Sequence, residues 1–255
     1  MSFFIDFNRA IKGYYDAFRF LGKHKLWYLL VFPAFLNLLA FIFVIYLSWV
    51  YSGDLIIFFV EKIGIESETK WLVWLQVLVS FIIRVIVVLL YLKLFRYIIL
   101  IFFAPMLAFI SEKVQEIATE QNRPFNIVQF TKDIYRGMSI ALKNLFLELA
   151  VTLSILVVSA IVTPFAIVTP FIIFIVESYF YGFAMIDYRN EFHAISAKKS
   201  RALINKHKGV TIGNGMIFNL ILLIPIVGVM FAPVLAVIAG GLAMNEIESK
   251  NRYDT

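Results

Sequence analysis

Thr163-Pro164-Phe165-Ala166-Ile167-Val168-Thr169-Pro170 lies in the middle of an apolar block that runs from Leu145 to about Ile186. Each of its two Thr-Pro pairs can supply a threonine N-cap followed by proline at the first helical position. If the block crossed a bilayer once, the segment after it would lie on the far side. That segment carries Arg189, Lys198, Lys199, Arg201, Lys206 and Lys208, the mark of a cytoplasmic loop. The block must therefore enter and leave on one face, which predicts a helical hairpin over 144–187 and a basic cytosolic segment over 188–209.

The wider composition fits this membrane reading. Hydrophobic residues make up 62% of the 255, charged residues 16%, and the mean hydropathy is +0.88, values that exclude an ordinary water-soluble globule. The apolar blocks are too long and continuous for the alternating strands of a membrane β-barrel. The expected fold is an all-α integral membrane protein: two long transmembrane helices, two helical hairpins that are either hemi-penetrating or short spans, and amphipathic interfacial and cytosolic helices. The net charge of +6 sits at the edges of apolar blocks and forms no clustered tract, so it points to membrane orientation and not to nucleic acid. Cysteine is absent from the sequence, which excludes disulfides and thiol chemistry.

Outward from the central block the pattern repeats. Val210 to Met244 is a fourth apolar block with Pro225, Gly228 and Pro233 near its middle, read as a second hairpin (210–244) before a cytosolic tail (245–255). Residues 26–50 and 71–110 read as two long spans, the latter with an apolar extension, joined by an acidic external loop at 51–70. Residues 111–143 suit cytosolic amphipathic helices separated at Pro124. Residues 1–25 alternate Phe4, Phe7, Ile11, Tyr14 and Phe18 with Asp6, Arg9 and Lys12, predicting a helix that lies in the interface. The basic residues of these first 25 positions put the N-terminus in the cytoplasm.

Several residues could meet an anion. Lys23, His24 and Lys25 form a basic cluster at a membrane entrance, either attracting anions or setting orientation against lipid headgroups. Thr163 and Thr169 either permit a turn or present helix N-termini, with unpaired N–H groups and partial positive charge, to an oxyanion. Arg84, deep in the second span, is either a structural ion pair with Glu148 or Glu177 or a charge on a pathway. Asp187 and Arg189 read as helix-end residues on a solvated face, and Gly213 and Gly215 as sites of close helix packing. His24, His193 and His207 form no metal-ligand pair at helical spacing, and no nucleophile or nucleotide motif appears, so neither catalysis, a metal nor a cofactor is expected.

The Phe-rich first helix, Pro33 and Asn37, Ala104-Pro105 before Ser111-Glu112-Lys113-Val114, Glu177 through Tyr181 to Asp187 and Arg189, and Gly213-Asn214-Gly215 before Ile224-Pro225 and Ala232-Pro233 form an ordered series. In order and spacing this series resembles the CysZ-type sulfate permeases and their etoposide-induced membrane protein relatives. The resemblance implies two spanning helices plus two pairs of hemi-penetrating helices, a homo-oligomer with cytoplasmic termini, and, in bacterial members, inner-membrane sulfate uptake for cysteine biosynthesis. Some eukaryotic relatives imply a non-transporting membrane organiser instead. The permeases carry Gly-Leu-Arg or Gly-Leu-Lys before the proline of the first span, where this chain has Lys25-Leu26-Trp27. With Trp27 in the basic position, Lys25, together with Lys23 and His24, is left to present the charge. The expected partners are sulfate or a similar oxyanion, the bilayer, and further copies of the chain.

Overall fold

A computed structural model describes residues 3–32, isolated positions between 34 and 101, and residues 103–121, 126–224 and 227–253. The described residues are helical with short connections and contain no strand. The chain is an all-α membrane protein. Its helices are α1 (Phe3–Lys23), α2 (Ala104–Thr119), α3 (Ile127–Ile161), α4 (Thr169–Phe192), α5 (Ala197–Lys206), α6 (Lys208–Leu222) and α7 (Val227–Tyr253). Helical backbone also occupies 28–32 and the described positions from 34 to 46. Arg84, Pro124, Pro225 and the segment predicted as an external loop lie outside the described residues.

The sequence divides 111–143 from the hairpin that follows, but α3 runs unbroken from Ile127 to Ile161. The side chain of Asn126 starts it, accepting from the N–H groups of Val128 and Gln129 at 3.0 and 3.2 Å and satisfying two first-turn donors. At about 1.5 Å per residue its 35 residues extend roughly 52 Å. A 3-10 turn, Thr163–Ile167, reverses the chain into α4. In the second hairpin Pro233 falls inside α7, past the turn, while Gly228 in the first turn of α7 packs against the end of α6. A Cβ there would overlap the carbonyl of Ile221.

Two arms from different hairpins meet at backbone contact. Ser178 and Gly182 of α4 face Thr211 and Gly215 of α6: a Cβ at 182 would overlap the Thr211 carbonyl, and one at 215 the Ser178 carbonyl. Small residues four apart on both helices remove the side-chain spacer and let the backbones approach. A second such row on α6, Gly209 and Gly213, receives α1: a Cβ at 213 would come within 2.8 Å of the Ala10 Cβ. The predicted close packing at Gly213 and Gly215 is thus directed to two different neighbours. Across α1, Gly13 leaves room for the carbonyl of Ala239 on α7.

These contacts make a core of α1, α2, α6, α7 and the second half of α4, where every residue from Tyr181 to Phe192 is buried. By contrast the outward residues of α3 and the hairpin tip are exposed and large, Phe146, Leu153, Val157, Ile161, Ile167 and Phe171 among them. A continuous apolar face of this kind is covered by lipid, not water. Helix α1 has two faces. Ala10, Tyr14, Ala17 and Leu21 turn inward, while Phe4, Ile11, Tyr15 and Phe18 point out. Asp6 and Arg9, the charged positions between the apolar ones, are buried with the inward set: they bond to each other, and Asp6 also to His207 at the corner before α6.

Candidate functional site

The first sequence-predicted cluster lies in the turn that ends α1. The N–H of Leu26 reaches back to the carbonyl of Leu21 at 2.9 Å and that of Lys25 to Gly22 at 3.3 Å, a Schellman closure with Leu21 and Leu26 both buried beneath it. Lys25 occupies the left-handed position, φ 55°, where glycine is usual. Its side chain and that of Lys23 are exposed, while His24 lies against the ring of Phe20 with centroids 4.5 Å apart. The turn therefore presents two cations and one partly buried imidazole just before the helical residues 28–32.

The second pair sits at the opposite end of the α3–α4 hairpin. Thr163 opens the 3-10 turn and Thr169 opens α4. The hydroxyl of Thr169 donates to the carbonyl of Phe165 at 3.0 Å, so it closes the turn, and α4 begins at Val168 without a side-chain cap. The reading of Thr169 as an N-cap is corrected: its oxygen is engaged as a donor behind the helix. The first-turn amides of α4 are left without that partner. The twelve residues from Thr169 to Tyr181 put this tip about 18 Å along α4 from the buried stretch.

Apart from these two places lies a polar assembly that the sequence did not announce. Arg136 of α3 forks onto Asp187 of α4 through Nε and Nη2, at 3.3 and 3.0 Å, and its Nη1 reaches the carbonyl of Ile195 at 2.6 Å. Ser200 of α5 donates to Asp187 and accepts from Asn190. Arg189, 1% exposed, bonds to Asn190, to Asn245 at 2.8 Å and to both oxygens of Glu248 at 2.9 and 2.6 Å. Asn245 passes the chain on to Gln115 of α2. One run of hydrogen bonds thus ties α2, α3, α4, α5 and α7.

The solvated face expected for Asp187 and Arg189 is therefore corrected: both are buried inside this run. Burial of charge is tolerated because each guanidinium finds a carboxylate in forked geometry and its remaining donors find amide or carbonyl oxygens. The only sequence signal was charged residues closing an apolar helix, which resembles the exit of a span.

A smaller cluster joins α1 to α6. His207, at the α5–α6 corner, places Nδ1 3.0 Å from Asp6 Oδ2, while Arg9 donates to Asp6 Oδ1 at 3.0 Å. Nearby the hydroxyl of Tyr14 donates to the carbonyl of Asn214 at 2.9 Å. Burial pushes the Tyr14 phenol well above its ordinary value, which keeps it protonated as that donor.

Chemically, both clusters are charge-compensated. Arg9, Arg136 and Arg189 all face carboxylates, so an oxyanion could bind there only by displacing one. A cleft of about 390 Å³ opens beside Arg189, lined by His193, Asn245, Glu248, Thr119 and Gln121, and Glu248 guards its arginine. Glu148, proposed as a partner for Arg84, is fully buried on α3 and accepts from the Thr152 hydroxyl at 3.2 Å. Among the described residues no three histidine or carboxylate side chains gather as a metal site.

The sequence profile of the family described as "Sulfate transporter CysZ/Etoposide-induced protein 2.4" matches residues 14–233. Among curated proteins none matches the chain significantly.

Proposed function

Because the chain belongs to the family of sulfate transporter CysZ and etoposide-induced protein 2.4, we propose that it carries a small oxyanion, sulfate first, across the cytoplasmic membrane for cysteine biosynthesis. The family match over 14–233 carries this reading, since it takes in all of the first hairpin, most of the second, and the α2, α3, α4 and α5 members of the polar assembly. Both termini lie in the cytoplasm, and the hairpins enter from that side.

Lys23, His24 and Lys25 gather the anion at the mouth of the path. Farther in, Arg84, the 3-10 turn opened by Thr163 and the uncapped start of α4 at Thr169 replace its lost water with charge and N–H donors. The buried arginines take no part, because their carboxylate partners already satisfy them. A homo-oligomer encloses the path. The crevice of about 360 Å³ on the outward side of α3, lined by Ala150, Val151, Ser154, Ile155, Val158 and Phe165, supports this by offering an apolar seat for a second copy.

The outward apolar stripe of α1 favours a second reading, a membrane organiser that transports nothing. Radiolabelled sulfate uptake into sealed proteoliposomes, against protein-free vesicles, separates the two. Uptake above the control is expected, reduced severalfold by Lys25→Ala and by the Thr163→Val/Thr169→Val pair. No uptake under any ion or pH gradient would leave the organiser.

A further inference from the structure

Helix α5 does not end its run in solvent. Ser200 bonds at the level of Asp187 and Asn190, and five residues later Asn205 accepts from the Tyr179 hydroxyl at 2.7 Å. The helix thus returns along α4 toward the part whose outward residues, Ile175 and Phe171, are exposed and apolar. Only Ser200 and Ile204 of α5 are buried. Lys198, Lys199, Arg201, Lys206 and Lys208 are all exposed. No aspartate or glutamate occurs between Phe192 and Asn245; of the acids on the helices packed here, Asp6, Asp187 and Glu191 are buried beside Arg9, His207 and Arg136, and Glu177 is half-buried on α4.

At the corner between α5 and α6, His207 turns inward to Asp6 while its neighbours Lys206 and Lys208 face out. The same corner touches the first turn of α1, where a Cβ on Gly209 would meet the Phe3 carbonyl and come within 3.0 Å of the Phe7 nitrogen. Phe3, Phe4 and Ile5 are exposed there, Phe4 by 75%, with the Phe3 and Phe4 rings edge to face at 5.8 Å. An exposed aromatic group thus stands beside a row of exposed cations, at the level where the apolar surface of α4 begins.

We propose that α5, the α5–α6 corner and the first turn of α1 form one binding surface for anionic phospholipid. The five cations hold the phosphate-bearing headgroups, and Phe3, Phe4 and Ile5 enter the acyl boundary beside them. The buried bonds of Ser200 and His207, with the surface bond of Asn205 to Tyr179, fix the angle of α5, so the cations face the headgroup plane as a rigid row. This surface is independent of what the protein transports.

The test is native mass spectrometry of the full-length protein in detergent with equal amounts of the phosphatidylglycerol and phosphatidylcholine of one acyl composition. Wild type should retain phosphatidylglycerol with more than about tenfold preference, falling as salt rises. Changing all five cations to glutamine should bring the preference near unity, and Lys206→Gln/Lys208→Gln alone should give an intermediate loss. Lys113→Gln/Lys132→Gln/Lys250→Gln, which lowers net charge elsewhere, should leave the preference intact. Phe3→Ser/Phe4→Ser should weaken retention of both lipids several-fold with their ratio unchanged. Preference surviving in the five-site variant, or lost equally in the control set, would overturn the headgroup assignment. Retention untouched by the phenylalanine changes would overturn the insertion.

Discussion

The two hairpins look alike in hydropathy and have opposite fates. In the most apolar stretch of α3 only 17% of residues are buried, whereas in the most apolar stretch within Met230–Lys250 of α7 the share is 72%. The first hairpin presents Leu, Val and Phe outward. The second is surrounded by α1, α2 and α4. Apolar character states only that a residue avoids water. Lipid and protein interior satisfy it equally, and what separates the hairpins is small residues at backbone contacts on α6 and buried polar bonds on α7.

The sharpest way to break that comparison is to put the same bulk on each hairpin. Gly215→Leu should cost more than about 4 kcal/mol, because the new side chain overlaps the Ser178 backbone and α4 cannot yield without uncovering its polar run. The folded yield and thermal midpoint in detergent should collapse. Ala160→Leu, on the exposed face of α3, should stay within about 0.5 kcal/mol. Equal tolerance at both positions would mean that α4 and α6 do not meet as described.

Next in size is the buried ion pair. Arg189→Ala should cost about 3–5 kcal/mol, since Glu248, Asn245 and Asn190 lose their donor together. Arg189→Met paired with Glu248→Leu should recover part of that loss, with midpoints of the three variants forming the cycle. Asn126→Ala removes two cap bonds at an exposed helix start and should cost about 1 kcal/mol in the same assay. Smallest is Lys25→Gly, which relieves the left-handed backbone and should gain about 0.5–1 kcal/mol, while Lys25→Ala should gain nothing. A stabilised Lys25→Gly that has also lost sulfate uptake would separate the charge of Lys25 from its backbone role.

How much could be read from the chain beforehand follows from what periodicity measures. The Thr-Pro pairs marked a reversal, and the 3-10 turn Thr163–Ile167 lies there. Gly213 and Gly215 marked close packing, but not that one meets α1 and the other α4, because spacing along one helix carries no information about its neighbours. Asp187 and Arg189 were assigned to a solvated face on their charge alone. They are buried because a partner distant in the chain, Arg136 or Glu248, offsets the desolvation; on α1 the distant partner is His207, which meets Asp6, and Asp6 in turn holds Arg9. For the candidate site, the residue types at Lys23, His24, Lys25, Thr163 and Thr169 were legible. That Lys25 sits in a left-handed turn and that Thr169 donates backward were not.

By itself the sequence determined that this chain is helical and belongs in a membrane, since a run of apolar residues must satisfy its backbone internally wherever water is absent. It also carried, through order and spacing, the family to which the chain belongs. Only the tertiary structure decided which apolar faces meet protein and which remain outward, and which charges are buried. Those outcomes depend on pairs of residues tens to hundreds of positions apart, such as Asp6 with His207 or Arg189 with Glu248, whose meeting no local pattern encodes.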